Sequence, residues 1–522
     1  MAYQIRDISA NNVAIRHLMR TQYDLFKTQI QVSTGQQSQD YKGISTQSQR
    51  LINTENTRTL LEKFQQNNVT TTFRLDGLDT TTDTINGAIK NFYDSLQDFK
   101  LTGGTDPDRI NEIQTEAFKG LQDIEGYLNT QLDGRYIYSG SRASSRPVDF
   151  NLTSLANFQT RYDGIGTTYP TTRDAHLDNI NVSADPASGN ANWLTFAEQG
   201  AGGVGRITAL SDTFSNLSVG TTIDVTGTAG NNGTYTITAI DPAGTWVDVK
   251  TEMLTDEGPS VAPAITLTPF GGTTLTNATD FADIQFTRAT GTITVSAPPA
   301  APLDSAVTGL TAGTTFTIAG SGSNDGTYTI VSNDGLNLVV EQRKLTTQAA
   351  PEAGTIATAS YYSGDQQALN VRVNQSRAID FDLNAIDPAF EKAIRAMHVV
   401  MQGVTGTEGG LDQNIGRVDD AIYLLESALG KNPLGTPPFG TEDTANLDDH
   451  LRTIAFNRLI VDRADASLTT TINYLKTQEE KIETIDQAEA ITKLMNISQS
   501  LEAAYQSFAR VRDLSLINFL PI

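Results

Sequence analysis

The C-terminal part of the chain carries a regular apolar stripe. Between residues 484 and 522 the apolar positions recur at alternating steps of three and four, at Leu494, Ile497, Leu501, Ala504, Phe508 and Val511. This spacing is typical of the a and d positions of a coiled coil and predicts one long amphipathic helix. Leu514 and Leu516 extend the apolar surface, and Pro521 ends the helix. Such a helix either packs on the core of its own domain or contacts another chain.

The N-terminal part of the chain carries a similar stripe. Its apolar residues recur at steps of four, four, three and four, at Ile15, Met19, Tyr23, Phe26 and Ile30. This spacing puts them on one face of a helix. Two amphipathic helices at opposite ends of a chain can bury their stripes against each other. The pattern therefore predicts a helical pair made of residues 1–40 and 481–522, with everything between them as an insertion.

The periodicity of the middle of the chain changes twice. Helical spacing continues over residues 41–140 and returns over 379–480, and these segments are predicted to form a helical rod. Residues 141–378 are rich in Thr, Gly, Ala and Pro with short alternating stretches, which predicts an inserted β-rich region. The expected fold class is α+β, a discontinuous helical bundle or coiled coil with an all-β insertion.

The β-rich region contains an internal duplication. The eighteen residues from Gly220 to Ile237 align without gaps on those from Gly313 to Ile330, and ten of the eighteen positions are identical. Each copy is predicted to form a β-hairpin that turns at Asn232-Gly233 or at Asp325-Gly326. We therefore expect two related subdomains built around residues 203–267 and 291–360.

Charge and composition exclude several classes of function. The formal net charge of −23 disfavours binding to nucleic acids or to an anionic membrane surface. The chain has no cysteine, which excludes disulfides and thiolate metal sites. The first residues lack the apolar segment of a cleaved signal peptide, and no apolar run is long enough to cross a bilayer.

The sequence offers little support for catalysis. Its histidines, His17, His176, His398 and His450, lie far apart along the chain without the spacing of metal ligands. The glycine-rich stretch at residues 320–326 resembles a calcium loop only weakly, because a hairpin turn explains its Asn-Asp-Gly. We expect no catalytic residue, no bound cofactor and no metal site.

Several motifs resemble the bacterial flagellin family and, within it, the hook-associated junction proteins. They are the run from Thr484 to Leu494, the stretches 501–505 and 514–520, the Ser33-Thr34-Gly35 turn and a signature of seven residues: Gly134, Arg135, Tyr136, Ile137, Tyr138, Ser139 and Gly140. The resemblance covers residues 1–140 and 380–522. The acidic pair that usually follows the turn is reduced to Asp40 before Tyr41 and Lys42.

The resemblance implies a structural subunit of the bacterial flagellum. Such a subunit leaves the cell unfolded by type III export, without a cleaved signal, and polymerises outside the cell through its terminal helices. Implied partners are the chain itself, a hook-side junction protein, filament flagellin and an export chaperone. The two terminal stripes, together with Leu514 and Leu516, would form the assembly interface.

Two other functions remain open from the sequence. Filament flagellin shares the same architecture, and the signature and the 514–520 stretch favour the junction subunit over it. An adhesin-like surface protein could instead use the β-repeats to bind a glycan, with the helices as a stalk.

Overall fold

The structure is a computed structural model. It describes residues 2–517 except 103–105, 185–193, 199–203, 210–211, 229, 252–256, 261–265, 270–274, 277–283, 288–289, 298–307, 313–314, 320–323, 325, 341–347, 353, 359 and 408. It describes the backbone alone for residues 2–11, 14 and 511–517 and for parts of several strands. The first of two compact units comprises Met1–Phe73, Val371–Ile379 and Arg458–Ile522, and the second comprises Arg74–Asn370 and Asp380–Asn457.

Long helices make up the two ends of the chain. In chain order the helices are α1 (Ala2–Thr34), α2 (Ser48–Thr102), α3 (Pro107–Leu128), α4 (Leu155–Arg161), α5 (Arg173–Leu177), α6 (Pro388–Met401), α7 (Gly416–Ala428), α8 (Leu447–Glu483) and α9 (Gln487–Ile517). One 3₁₀ turn, Tyr41–Ile44, lies between α1 and α2. α2 and α8 are each shared between the two units.

In the first unit, α1 and α9 pair in antiparallel directions. α1 ends at Gly35, whose φ of +72° turns the chain at low steric cost. The backbone N–H of Gln37 donates to the carbonyl of Glu483 at 2.6 Å, and that of Ile485 donates to Gly35 at 3.1 Å. Asp486 then caps the first turn of α9 through the N–H of Ala488. These bonds tie the two helix junctions together at one end of the pair.

The rest of the first unit is a pairing of α2 with α8. Leu61, Leu468 and Ile472 form one buried apolar cluster between them. The guanidinium of Arg58 donates to both carboxylate oxygens of Glu479, at 3.0 and 2.8 Å. Apolar residues form the core between the helices, and the ion pair from Nε of Arg58 to Glu479 adds a polar contact between them.

The helical core of the second unit centres on α6. α3 packs against it and begins with Asp106 as cap and Pro107 at its first position. Helical spacing is expected over residues 41–140, and in α3 the apolar residues at this spacing are all buried: Ile110, Ile113, Ala117, Leu121, Ile124 and Leu128. α6 is buried along its whole length, including its charged residues. The helical spacing of α3 matches its buried face because that face meets the core, whereas α6 is buried all around.

The seven-residue signature begins at the turn of a short hairpin. β1 (Gln131–Leu132) and β2 (Arg135–Tyr136) pair in antiparallel register around a turn at Asp133 and Gly134. Both turn residues have positive φ, as a two-residue I′ turn requires. β2 ends after Tyr136. The chain then turns so that Tyr138 lies buried against Phe390 of α6.

The inserted region consists mainly of two antiparallel eight-stranded sheets. The first has the strand order β17-β4-β5-β8-β7-β6-β18-β3 and the second β11-β10-β14-β15-β16-β13-β12-β9. The strands are β3 (Ile180–Ala184), β4 (Leu194–Glu198), β5 (Val204–Ala209), β6 (Thr222–Thr226), β7 (Gly233–Ile240), β8 (Trp246–Lys250), β9 (Glu257–Ser260), β10 (Thr266–Pro269), β11 (Leu275–Thr276), β12 (Ile284–Thr287), β13 (Thr292–Val295), β14 (Thr315–Ala319), β15 (Gly326–Asn333), β16 (Asn337–Val340), β17 (Gln348–Glu352) and β18 (Gly354–Thr358). A separate hairpin of β19 (Leu369–Arg372) and β20 (Ala378–Phe381) follows.

The duplicated hairpins occupy equivalent places in the two sheets. β6 and β7 correspond to β14 and β15, and the hydroxyl groups of Tyr235 and Tyr328 donate to the carbonyls of Asn231 and Asn324 in the two copies. The loop of the first hairpin is longer than the predicted two-residue turn. It spans residues 227–232, and the carbonyl oxygen of the Asn232 side chain accepts from the backbone N–H of Thr228.

The two copies exchange their last strands. In chain order β9 and β10 follow the first copy, yet they complete the sheet of the second copy. β17 and β18 follow the second copy and complete the sheet of the first. Strand order confirms the predicted fold class, an α+β chain with an inserted all-β region of two related subdomains, and adds that the subdomains are interlocked.

The boundary of the sheets is narrower than the predicted insertion of residues 141–378. Along the chain, the first sheet begins with β3 and ends with β18. These two strands pair, and Ile180 lies opposite Thr358. The stretch before it packs on the helical core, since Arg395 of α6 donates to the carbonyl of Thr171 and His176 contacts Glu391.

Candidate assembly interface

The predicted C-terminal stripe, called the seam from here on, is the half-buried face of α9. Along the part of α9 whose side chains are described, Ala490 is buried, and the other positions that lose most of their exposure are Leu494, Ile497, Leu501, Ala504 and Phe508. The side chains of Val511, Leu514 and Leu516 lie outside the described residues. The seam therefore faces α1, with which α9 pairs along its length.

α1 meets α9 with a different set of residues from the one predicted. Leu18, Thr21, Leu25, Thr28 and Val32 are the half-buried or buried positions, and they recur at steps of three, four, three and four. Because threonine occupies two of these positions, the inward face is less apolar than the predicted stripe. The expectation that the two predicted stripes bury against each other is wrong for α1.

The predicted N-terminal stripe faces away from α9 and is exposed to solvent. Met19, Tyr23 and Phe26 keep 63%, 67% and 62% of their surface exposed, and Ile15 keeps 39%. Ile30 is half-buried near the end of the helix. At 100° per residue the centre of this stripe lies about 140° around the helix from the inward face. α1 thus has two apolar faces. Among the side chains that the structure describes, the inward face packs on α9 and the outer stripe is mostly exposed.

Helix α9 also carries apolar side chains outside its seam. Ile491, Met495 and Tyr505 are 41%, 62% and 46% exposed. The hydroxyl of Tyr505 accepts a hydrogen bond from the side-chain amide of Gln22 at the edge of the helical pair. Large exposed apolar residues on both helices indicate an interaction surface.

The signature residues serve the helical core of the second unit. The hydroxyl of Tyr138 lies 2.6 Å from that of Thr81 and 2.9 Å from that of Thr82. Burial raises the pKa of Tyr138 to about 12. The carboxylate of Asp365 accepts from the backbone N–H of Ser141, next to Gly140. These contacts explain the signature as packing and turn geometry within the second unit.

The structure brings together two histidines that are far apart in sequence. The rings of Tyr169 and His398 stack with centroids 4.1 Å apart, and the Tyr169 hydroxyl lies 2.7 Å from Nε2 of His176. Nδ1 of His176 lies 2.7 Å from Oε1 of Glu391, which also accepts from Arg395. Sequence spacing could not reveal this cluster, because its members come from α5, α6 and the loop before α5.

The electrostatics of this cluster favour a structural role. Burial, helped by the nearby His176, lowers the pKa of His398 to about 3. Burial also raises the pKa of Tyr169 well above its ordinary value. Burial alone would raise the pKa of Glu391, but the hydrogen bond to His176 and the charge of Arg395 lower it. An imidazole that stays neutral and a phenol that stays protonated are poor proton carriers near neutral pH.

The described residues contain neither a metal-binding cluster nor a membrane-spanning helix. Within them, no group of three or more His, Asp or Glu side chains has the geometry to hold a metal ion. The weak calcium-loop candidate at 320–326 falls mostly outside the described residues. None of the helices, as far as they are described, is long and apolar enough to span a membrane.

Comparison with known proteins yields structural neighbours alone. No protein-family model and no curated protein matches the sequence. Among solved structures, the chain is similar to FlgL of Xanthomonas campestris, at 11% identity and a TM-score of 0.29, covering 82% of this chain and 98% of that one. It is also similar to flagellar hook-associated protein 3 of Legionella pneumophila, at 13% identity and a TM-score of 0.19, covering 89% of this chain and 99% of that one.

Proposed function

We propose that this chain is a structural subunit of the bacterial flagellum, at the junction between hook and filament. The observation that carries the proposal is the solvent-exposed stripe of α1, on the side of the helix that does not face α9. A polymerising subunit needs such a surface, because its terminal helices must bury apolar area against neighbouring copies. The proposal makes the chain a structural protein without catalysis.

The energetics of the two helices suit assembly. Each exposed side chain of the α1 stripe would gain about 25 cal/mol for every Å² of apolar surface removed from water. A few hundred Å² per subunit would contribute several kcal/mol against the loss of translational freedom. The inward face of α1, with threonine at two of its positions, supplies less apolar contact than a full a/d seam of leucines. Neighbouring subunits would therefore add much of the stability of the pair.

The choice of the junction rests on the sequence. The signature from Gly134 to Gly140 and the terminal run to Leu520 resemble hook-associated proteins more than filament flagellins. In this proposal the chain is exported unfolded with the help of a chaperone, and it contacts a hook-side junction protein, filament flagellin and further copies of itself. The acidic, Thr-rich sheets would keep the outer surface of the assembly soluble.

Localisation in the native bacterium tests the proposal. A strain lacking this chain is complemented with a copy that carries an epitope inserted after Leu434, in an exposed loop of the second unit. We expect the deleted strain to lose its filaments while keeping its hooks, and immunogold labelling to mark a short zone at the base of each filament. Labelling along the whole filament would assign the chain as filament flagellin. Intact filaments in the deleted strain, with label elsewhere on the cell, would contradict a flagellar role.

A further inference from the structure

A groove in the second unit has the chemistry of a ligand site. It lies between α4, the histidine cluster and strands β6 and β18 of the first sheet, and its volume is about 740 Å³. Small-molecule sites fall in the range of about 300–1,000 Å³. The flagellar role proposed above does not use this groove, which the first unit does not line.

The floor of the groove is built from aromatic rings. Phe158 packs 5.3 Å from His398 and 5.8 Å from Tyr169, and Phe150 lies 5.7 Å from His398, all measured between ring centroids. The Tyr169 hydroxyl and both ring nitrogens of His176 have polar partners within the cluster. Phe158, Tyr169 and His398 are almost fully buried, and they support the half-buried rings of Phe150 and Tyr162 in the groove lining.

The walls of the groove are lined by amide, hydroxyl and carboxylate groups. Asn157 on α4 donates to the hydroxyl of Thr153 at 2.7 Å. Across the groove, Arg161 donates to the carboxylate of Asp224 at 2.8 Å. Further lining hydroxyls belong to Thr358, Ser360 and Ser363. Planar amides and carboxylates can bond two neighbouring hydroxyl groups at once.

The charge of the groove narrows the class of ligand. Its lining includes the carboxylates of Asp149 and Asp224 and the guanidinium of Arg161, which Asp224 already pairs. An anionic ligand such as a phosphate ester would face an excess of negative charge. A lipid chain would need a continuous apolar lining, which the hydroxyl-rich walls interrupt. A sugar ring matches both surfaces, because its C–H face stacks on aromatic rings while its hydroxyls bond polar walls.

We propose that this groove binds a neutral saccharide of one or two rings. The sugar ring lies against the half-buried rings of Phe150 and Tyr162. Its hydroxyls contact Asn157, Thr153 and the Arg161–Asp224 pair. All the residues that line the groove belong to the second unit, whereas the stripes of α1 and α9 belong to the first.

Saturation-transfer NMR on the full chain tests the site. The probes are maltose, cellobiose, lactose and N,N′-diacetylchitobiose, with sialyllactose as the charged comparison. We expect at least one neutral disaccharide to give a saturable signal, and sialyllactose to bind more weakly than lactose. Loss of one hydrogen bond should weaken the affinity about three- to tenfold in Asn157→Ala and in Thr153→Ala. Both positions are exposed, so thermal melting should confirm that both variants fold.

A matched control separates the groove from the rest of the surface. Asn432→Ala removes an amide from an exposed loop outside the groove and should leave binding unchanged. The proposal is overturned if all four neutral disaccharides fail to saturate. It is equally overturned if the signal survives both groove variants unchanged, or if sialyllactose binds more tightly than lactose.

Discussion

Helices α1 and α9 carry apolar stripes of nearly the same spacing, yet the stripes have opposite environments. The stripe of α9 lies against α1 and is half-buried from Leu494 to Phe508, whereas the stripe of α1 leaves Tyr23 and Phe26 more than half exposed. α1 instead pairs through a face that includes Thr21 and Thr28. Periodicity therefore predicts that a helix has an apolar face. It does not predict which helix or subunit packs against that face.

The comparison suggests that the two stripes have different roles in the helical pair. The seam of α9 would hold the pair together in each subunit, and the outer stripe of α1 would join subunits to one another. Substitutions on the two stripes should therefore have separable effects on folding and on assembly.

The largest effect is expected from Leu501→Asp in the seam. A carboxylate at this half-buried position should cost about 1–3 kcal/mol of stability, because it loses water without gaining a partner. We expect lower helicity by circular dichroism and no polymer by sedimentation. Ser500→Asp, at the exposed position directly before Leu501, is the control and should behave as the parent chain. Parent-like helicity and assembly of Leu501→Asp would show that the seam carries neither role.

The next effect is expected from Phe26→Asp on the outer stripe. Since Phe26 is 62% exposed, the melting of the monomer should change by about 0.5 kcal/mol or less. Assembly should nevertheless weaken by at least about tenfold, since a charge would enter the contact between subunits. The control Lys27→Asp changes the charge by more but lies on the polar side of α1, so it should assemble better than Phe26→Asp. The opposite order would remove the outer stripe from the interface.

A small effect is expected from Tyr505→Phe at the edge of the pair. This change removes the acceptor of the Gln22 side-chain amide but keeps the ring. Because both groups are exposed to water, we expect a loss of about 0.5 kcal/mol or less in melting experiments. A loss comparable to that of Leu501→Asp would mean that polar contacts, rather than the seam, hold α1 to α9.

No effect on the helical pair is expected from removing the sheets. Ile180 and Thr358 are cross-strand partners, so a two-residue Asn-Gly turn can replace residues 181–357 between them. The shortened chain should keep the helicity of its ends and polymerise like the parent. A loss of terminal helicity, measured by circular dichroism, would mean that the sheets stabilise the helical pair.

The sequence predicted the parts of the fold that rest on local periodicity. The buried faces of α3 and α9 and the two β-repeats follow from spacing that neighbouring residues set. The exchange of β9 and β10 for β17 and β18 could not be predicted, because each pair of strands fits either copy of a duplicated sheet. The cluster of Tyr169, His176 and His398 could not be predicted either, because only tertiary packing brings its three segments together. The inward face of α1 had a signal in the steps from Leu18 to Val32, but its threonines made the outer stripe stand out more.

Thiol labelling in monomer and polymer tests the central claim most directly. The chain has no cysteine, so a single Tyr23→Cys substitution is a unique reporter on the outer stripe of α1. Lys27→Cys reports the polar side and Leu25→Cys the inward face. We predict fast alkylation of Tyr23→Cys in the monomer, at least about tenfold slower alkylation in the polymer, a smaller change for Lys27→Cys and slow reaction of Leu25→Cys in both states. Equal alkylation rates of Tyr23→Cys in monomer and polymer would contradict assembly through the outer stripe.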